Sequence, residues 1–315
     1  MYLQLTLSII IIAIIIDVIF GELPAKIHPV VWMGKVIDFF REYLINYRSK
    51  ISGIILTFMA VMIFTLATYV LLRLSAFNYI LYILVSSIIL STTFAIKVLL
   101  GSAENMKNDI DNNIEKARQS MSYLVSRNTM ELNEEDLVSA TIETLTENIT
   151  DSIIAPLFYA FIFGVLGAVV YRVINTLDAM VGYKTPEKIK IGWFPAKLDD
   201  VLNFIPARIT GVLIVIAAAF LRLNWGNAYK IMRRDARKPD SPNSGFSMAA
   251  AAGALDIKLE KIGYYEIGDE LSPLTTDKIT EAVLLSKLTV LLFILVACIL
   301  FGVFTVLICY SFICL

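Results

Sequence analysis

Histidine is nearly missing from this sequence: His28 is the only one in 315 residues. A multi-histidine metal centre within one chain is therefore excluded. Cysteine is almost as scarce. Cys298, Cys309 and Cys314 all lie in the last hydrophobic run, with no C-x-x-C and no histidine nearby. That rules out a disulfide framework or a zinc site and leaves small packing residues. No G-x-x-x-x-G-K-[ST] occurs, so a P-loop is absent and any nucleotide must be held otherwise. Neither sign of charge dominates: a formal net charge of −1 and a pI near 6.0 point to no nucleic-acid partner. Internal repeats are absent as well.

What the chain has in excess is hydrocarbon. Apolar residues make up 57% of it and the mean hydropathy is +0.73, against roughly 45–50% apolar in soluble domains. The expected fold is all-α: a polytopic integral membrane helical bundle, 1–315, of four to six spans, with polar helical loops on the cytoplasmic face. Residues 3–19, 51–72, 77–100 and 288–312 read as spans. The first lacks the basic segment and small-residue cleavage site of a signal peptide and reads as a retained anchor. Residues 153–171, carrying Pro156, Gly164 and Gly167, and 201–223, carrying Asn203, Pro206 and Arg208, read as spans or re-entrant segments. The polar loops are 20–50, 101–152, 172–200 and 224–287. Within them, residues 35–50 read as an amphipathic surface helix presenting Phe39, Phe40 and Tyr43, and Asn133 as the cap of a helix starting at Glu134. With 153–171 and 201–223 re-entrant, only Arg73 is clearly on the outer side, which favours four spans by the positive-inside rule.

Carboxylates and carboxamides interrupt the apolar runs between residues 142 and 208. Glu143, Glu147 and Asp151 stand at i, i+4 and i+8, on one helical face. Three like charges there cost about 0.2–0.5 kcal/mol per adjacent pair unless a cation offsets them. The face also runs into the apolar stretch 153–171, where unpaired charge is expensive. Asn175 and Asp178, then Asp199 and Asp200, repeat the pattern and supply the hard oxygen donors that suit Mg²⁺ carried on a nucleotide. Singly, each has an ordinary role open to it: Asn175 as a helix cap, Asp199 and Asp200 in a first helical turn. Together they suggest one shared site. Ser241-Pro242-Asn243-Ser244-Gly245 has the residues of a phosphate-binding nest with Arg233, Arg234, Arg237 and Lys238 before it, and equally those of a Pro-Asn turn beside a lipid-binding basic patch.

These motifs resemble the adenosylcobinamide-phosphate synthase (cobinamide synthase) family of cobalamin biosynthesis, over nearly the whole chain. The resemblance is carried by Asp17, Gly21, Glu22, Pro24, His28, Pro29 and Gly34; by residues 124–129 (LVSRNT); by Glu143, Glu147, Asn148, Asp151 and Pro156; by residues 175–184 (NTLDAMVGYK); by 199–208; by 241–245; and by 263–268 (GYYEIG). Asn128, Ala179 and Ser244 depart from the pattern, where Asp, Ser and Ala are expected. The resemblance implies ATP-dependent amide formation between adenosylcobyric acid and an aminoalcohol phosphate of the (R)-1-aminopropan-2-ol type. It implies Mg²⁺ and ATP, with Glu143, Glu147, Asp178 and His28 as catalytic candidates and Asp151, Asp199 and Asp200 as metal candidates. Arg127, Lys184, Arg208, Ser241, Asn243 and Gly245 would hold phosphate. Expected partners are the corrinoid, the aminoalcohol phosphate, ATP and membrane lipids; a homo-oligomer is left open and nucleic acid is not expected. The rival readings are a transporter, which predicts inverted repeats not seen here, and a non-catalytic membrane sensor, which would need no dense set of facing acids and bases.

Overall fold

The computed structural model describes residues 2–47, 49–125, 128–183 and 185–313, with side chains from 4 to 303. The helices are α1 (Tyr2–Phe20), α2 (Pro29–Leu44), α3 (Lys50–Ser75), α4 (Tyr79–Ser91), α5 (Ile96–Asn112), α6 (Ile114–Ser122), α7 (Glu134–Ile149), α8 (Ala155–Val181), α9 (Trp193–Leu202), α10 (Phe204–Phe220), α11 (Trp225–Asp235), α12 (Ser244–Leu255) and α13 (Thr276–Ile313). Among the described residues the only sheet is an antiparallel hairpin, β1 (Lys258–Lys261) with β2 (Tyr265–Gly268), turning at Gly263 with φ 78°. Four stretches are long and apolar enough to cross a membrane: Lys50–Ser75, Tyr79–Asn112, Glu134–Val181 and Thr276–Val303. A fifth exists if α9 and α10, bent by 46°, count as one. At 1.5 Å per residue, the 26 residues of α3 measure about 39 Å, beyond the roughly 30 Å of a hydrocarbon core. The chain condenses into two compact units, Met1–Lys97 with Ala155–Leu202 and Ala297–Leu315, and Val98–Ile154 with Asn203–Val296.

In the first unit α1 packs on α4, burying Ile9, Ile10 and Ala13, and the Ser87 hydroxyl donates to the Ile9 carbonyl. The span expected at 77–100 is not continuous, because α4 stops at Ser91 and α5 starts at Ile96. Ser91, Thr92 and Thr93 turn their hydroxyls onto carbonyls three residues back, at 2.7–2.9 Å, ending the ladder. The N–H groups freed at Ile96 and Lys97 donate to Asp17 Oδ2 at 3.0 and 3.1 Å. An amide left open in hydrocarbon costs several kcal/mol, which is why a fully buried carboxylate is tolerated there.

α8 is not a straight rod. Gly164 takes φ 68°, ψ −161°, a conformation open to glycine almost alone. Twelve residues of straight helix span about 18 Å, yet the rings of Tyr159 and Tyr171 stack with centroids 5.3 Å apart. A Cβ at Gly167 would lie 2.8 Å from the Tyr159 carbonyl oxygen, eight residues earlier. The chain therefore doubles back at Gly164 into two touching arms. Upstream, Thr150–Ile154 is a π turn, a widened stretch just ahead of Pro156, which has no N–H to give the ladder.

The second unit is built on small residues. Ala217, Ala218, Ala228, Ala250, Ala251 and Ala254 let α10, α11 and α12 approach closely, sealed by Ile214, Met232 and Leu285. A Cβ at Gly253 would strike the Asn227 carbonyl. Residues 224–287, expected as a polar loop, hold α11, an α12 with ten of its twelve residues buried, and the hairpin. The hairpin docks on α7 through the Glu260 N–H, which donates to Ser139 Oγ at 3.0 Å. Asn133 caps α7 as expected, in a capping box with Asp136.

Candidate functional site

The first unit gathers Asn175 and Asp178 of α8 with Asp199 and Asp200 of α9. Asn175 Nδ2 donates to Asp199 Oδ1 at 3.3 Å, and Asn175 Oδ1 accepts from Arg172 Nη1 at 3.5 Å. Asp178 lies in the field of both Asp199 and Asp200. Asp200 pairs with Lys197 at 3.1 Å. Thr176 returns its hydroxyl to the Arg172 carbonyl, and Tyr159 reaches α9 by donating to the Leu202 carbonyl at 2.9 Å. The long arm of the Gly164 hairpin thus carries the amide and one acid, and the short arm ties down the helix bearing the other two. A Cβ at Gly182 would fall on Asp178, so glycine lets the chain turn away directly above that carboxylate.

His28, also in this unit, is the N-cap of α2. Its Nδ1 accepts from the Val30 N–H at 3.2 Å. Burial lowers its pKa, the Glu22 charge opposes that and Arg172 adds to it. With Nδ1 engaged as acceptor, the neutral ring carries its proton on Nε2 and has no lone pair left to offer substrate.

In the second unit Arg208 lies between two aromatic rings, 3.5 Å from the Phe204 centroid and 4.3 Å from that of Phe246. Its Nη1 donates to the Phe204 carbonyl at 2.7 Å and to Asn243 Oδ1 at 2.9 Å, which fixes the plane of the fork. The expected nest at 241–245 is closed by its own residues. The N–H groups of Asn243 and Ser244 point to Ser241 Oγ at 3.3 and 3.4 Å, and Gly245 is pressed against the Ala236 carbonyl. Ser241 and Asn243 therefore shape the turn that aims Arg208. Glu143 is buried on α7, and Glu147, half-buried one turn on, feels the charges of Glu143 and Lys261. Asp151 follows in the π turn.

Sequence reasoning missed Asp235, which is fully buried. It takes Arg234 bidentately (2.8 and 2.7 Å), Lys238 at 2.9 Å and the Gly268 N–H at 2.9 Å. Burial raises this carboxyl, but Arg234, the Gly268 N–H and Lys238 outweigh it and hold the pKa at about 2. Arg234 pairs with Asp269 as well. Two of the four cations in the basic run 233–238 thus bolt α11 to β2, and the acid inside the Arg-Arg-Asp run was the available signal. Arg127 and Lys184 lie outside the described residues. Among those described, no three His, Cys, Asp or Glu side chains converge to hold a metal. The carboxylates of the first unit fit Mg²⁺ only in the manner of one or two carboxylates completed by substrate phosphates and water.

Long apolar helices interrupted by buried acids, amides and a stacked arginine define an all-α polytopic integral membrane protein. The chain belongs to the CobD/Cbib protein family, whose profile matches residues 10–286. It is 51% identical over 290 residues to the probable cobalamin biosynthesis protein CobD of Methanothermobacter thermautotrophicus, covering 92% of this chain and 96% of that one. It is 46% identical over 271 residues to the probable cobalamin biosynthesis protein CobD of Methanococcus aeolicus, covering 83% and 87%. It is 40% identical over 284 residues to the cobalamin biosynthesis protein CobD of Dehalococcoides mccartyi, covering 89% and 92%. No solved structure matches the chain.

Proposed function

We propose that this chain works in cobalamin biosynthesis as a membrane ligase. It joins the carboxylate of adenosylcobyric acid to the amine of an aminoalcohol phosphate, with ATP as the driving co-substrate. The observation that carries this reading is the match of the family profile over residues 10–286, a range that contains every acidic and basic group of the two clusters. In the reaction, a corrinoid carboxylate oxygen attacks the γ-phosphorus of ATP, giving an acyl phosphate and releasing ADP. The amine nitrogen then attacks the acyl carbon, phosphate departs with the bonding pair, and the amine loses a proton.

Within the first unit, Asp178 and Asp199 are assigned to Mg²⁺ on the nucleotide, its shell completed by substrate phosphates and water, with Asn175 orienting Asp199. That ion would neutralise charge developing on the transferred phosphoryl group. Within the second unit, Arg208 is assigned to phosphate. Its fork is planar, pre-aimed by Asn243 and always charged, which suits a phosphate better than a mobile ammonium would. Glu147, half-exposed beside Glu143, is assigned to take the amine proton, since the lone pair of His28 is already committed. The polar segments are assigned to the cytoplasmic face, where the count of Lys and Arg supports them.

The test is ADP release by purified protein given ATP, adenosylcobyric acid and (R)-1-aminopropan-2-ol phosphate, with the amide product identified by mass. ADP release is expected only when both co-substrates are present. Release that ignores the amine, or release without amide, would overturn the assignment.

A further inference from the structure

We propose that the second unit carries a binding site for an anionic membrane lipid on the outer face of α10 and α11, independent of the ligase reading. The outward residues of α10 form one apolar stripe, Ile205, Val212, Ile216 and Phe220, at spacings of seven, four and four. At its end Val215, Ile216, Ala219, Phe220 and Trp225 line an open apolar groove of about 450 Å³. Phe220 is 69% exposed and Trp225 57%, a large apolar surface to leave in water. Polar ground begins immediately beside it. Arg222 occupies the turn between the two helices, and α11 exposes Trp225, Tyr229 and Arg233 in one row at i, i+4 and i+8, with Lys230 on its flank. The Arg233 guanidinium stands 5.9 Å from the Tyr229 ring centroid. Among the described residues, Arg222, Lys230 and Arg233 take part in no ion pair. The acid at this end, Asp256, is occupied by the side-chain amides of Asn224 and Asn227.

Aromatic rings between a hydrocarbon groove and unneutralised cations match a lipid at the membrane boundary: chain in the groove, ring at headgroup level, phosphate on the cations. A second copy of this chain is a poor occupant, since a two-fold contact would set cations against cations. A neutral headgroup leaves the three charges unanswered.

Trp225 makes the site readable. Full-length protein carrying Trp32→Phe and Trp193→Phe retains it as the sole tryptophan, and its quenching is followed in vesicles containing either brominated phosphatidylglycerol or brominated phosphatidylcholine. At about a kilocalorie-equivalent factor of five per surface cation, the anionic lipid should be preferred about fivefold or more. Arg222→Gln, Lys230→Gln and Arg233→Gln together should bring the ratio to about one while quenching persists. Ala219→Phe, which fills the groove and keeps the charges, should weaken quenching by both lipids. Equal preference in the parent chain, a preference unmoved by the triple substitution, or a Trp225 shielded from both lipids by a second copy would each overturn the proposal.

Discussion

Replacing Gly164 by Ala tests the doubled-back form of α8 with little else disturbed. A Cβ at this position meets no atom within 4 Å, so no clash confuses the outcome and the backbone alone responds. At φ 68°, ψ −161° an L-residue is strained by about 1–3 kcal/mol. Straightening the helix escapes that strain but gives up the Tyr159–Tyr171 stack, about 0.5–1.5 kcal/mol. It also gives up the hydrogen bond from Tyr159 to Leu202, about 1 kcal/mol. Both routes cost about 1–3 kcal/mol, a fall of a few degrees in Tm for a chain this size. Gly101→Ala is the matched control: it lies within α5, its added Cβ also meets open space, and Ala there should gain about 0.5–1 kcal/mol. Thermal unfolding of the two variants in detergent should therefore move in opposite directions. In a background lacking Cys298, Cys309 and Cys314, a short bis-maleimide should join Tyr159→Cys to Tyr171→Cys with Gly164 present and much less efficiently with Ala. If Gly164→Ala is as stable as Gly101→Ala and cross-links equally well, the hairpin is wrong.

Asp178→Asn and Asp199→Asn should each abolish ADP release while Tm stays within a few degrees of the parent, and equal activity in either would remove that residue from the metal role. His28→Ala should cost about 1 kcal/mol through the lost cap and leave both limbs of the pH–rate profile. His28→Asn, which keeps a capping oxygen, should recover the stability, and loss of a limb would instead make His28 a base. Asp235 has a folded pKa below its unfolded value, so its contribution is complete above about pH 4 and is lost as pH falls toward 2. Tm measured from pH 5 to 2 should show this loss, about 2 kcal/mol, and Asp235→Asn should be less stable at neutral pH with that acid limb flattened.

The parts of the fold that are local in cause could be read in advance. Asn133 before three acids announces a capped helix, and α3 is longer than the hydrocarbon core of a bilayer is thick. The break between α4 and α5 could not be read, because Ser91, Thr92 and Thr93 are apolar enough to continue a span. The acceptor for the freed amides, Asp17, lies 79 residues from Ile96. α12 was hidden for a different reason: a helix buried on every side shows no period, and MAAAAGAL reads as filler. In the candidate site the structure brings Asn175, Asp178, Asp199 and Asp200 together within the first unit. The role of the basic run at 233–238 could not be read. A basic run looks alike whether it awaits a phosphate or, as with Arg234 and Lys238, already serves a buried carboxylate.

The contact between Asp17 and the first turn of α5 also sets an order of assembly. Until the amino-terminal helix stands beside it, α5 presents two open amides to the lipid and cannot settle in its final position. α1 is therefore more than a tether. Removing it should leave an insertion intermediate whose next hairpin stays unfinished, visible as protease sensitivity near residues 92–95 rather than as simple release from the membrane.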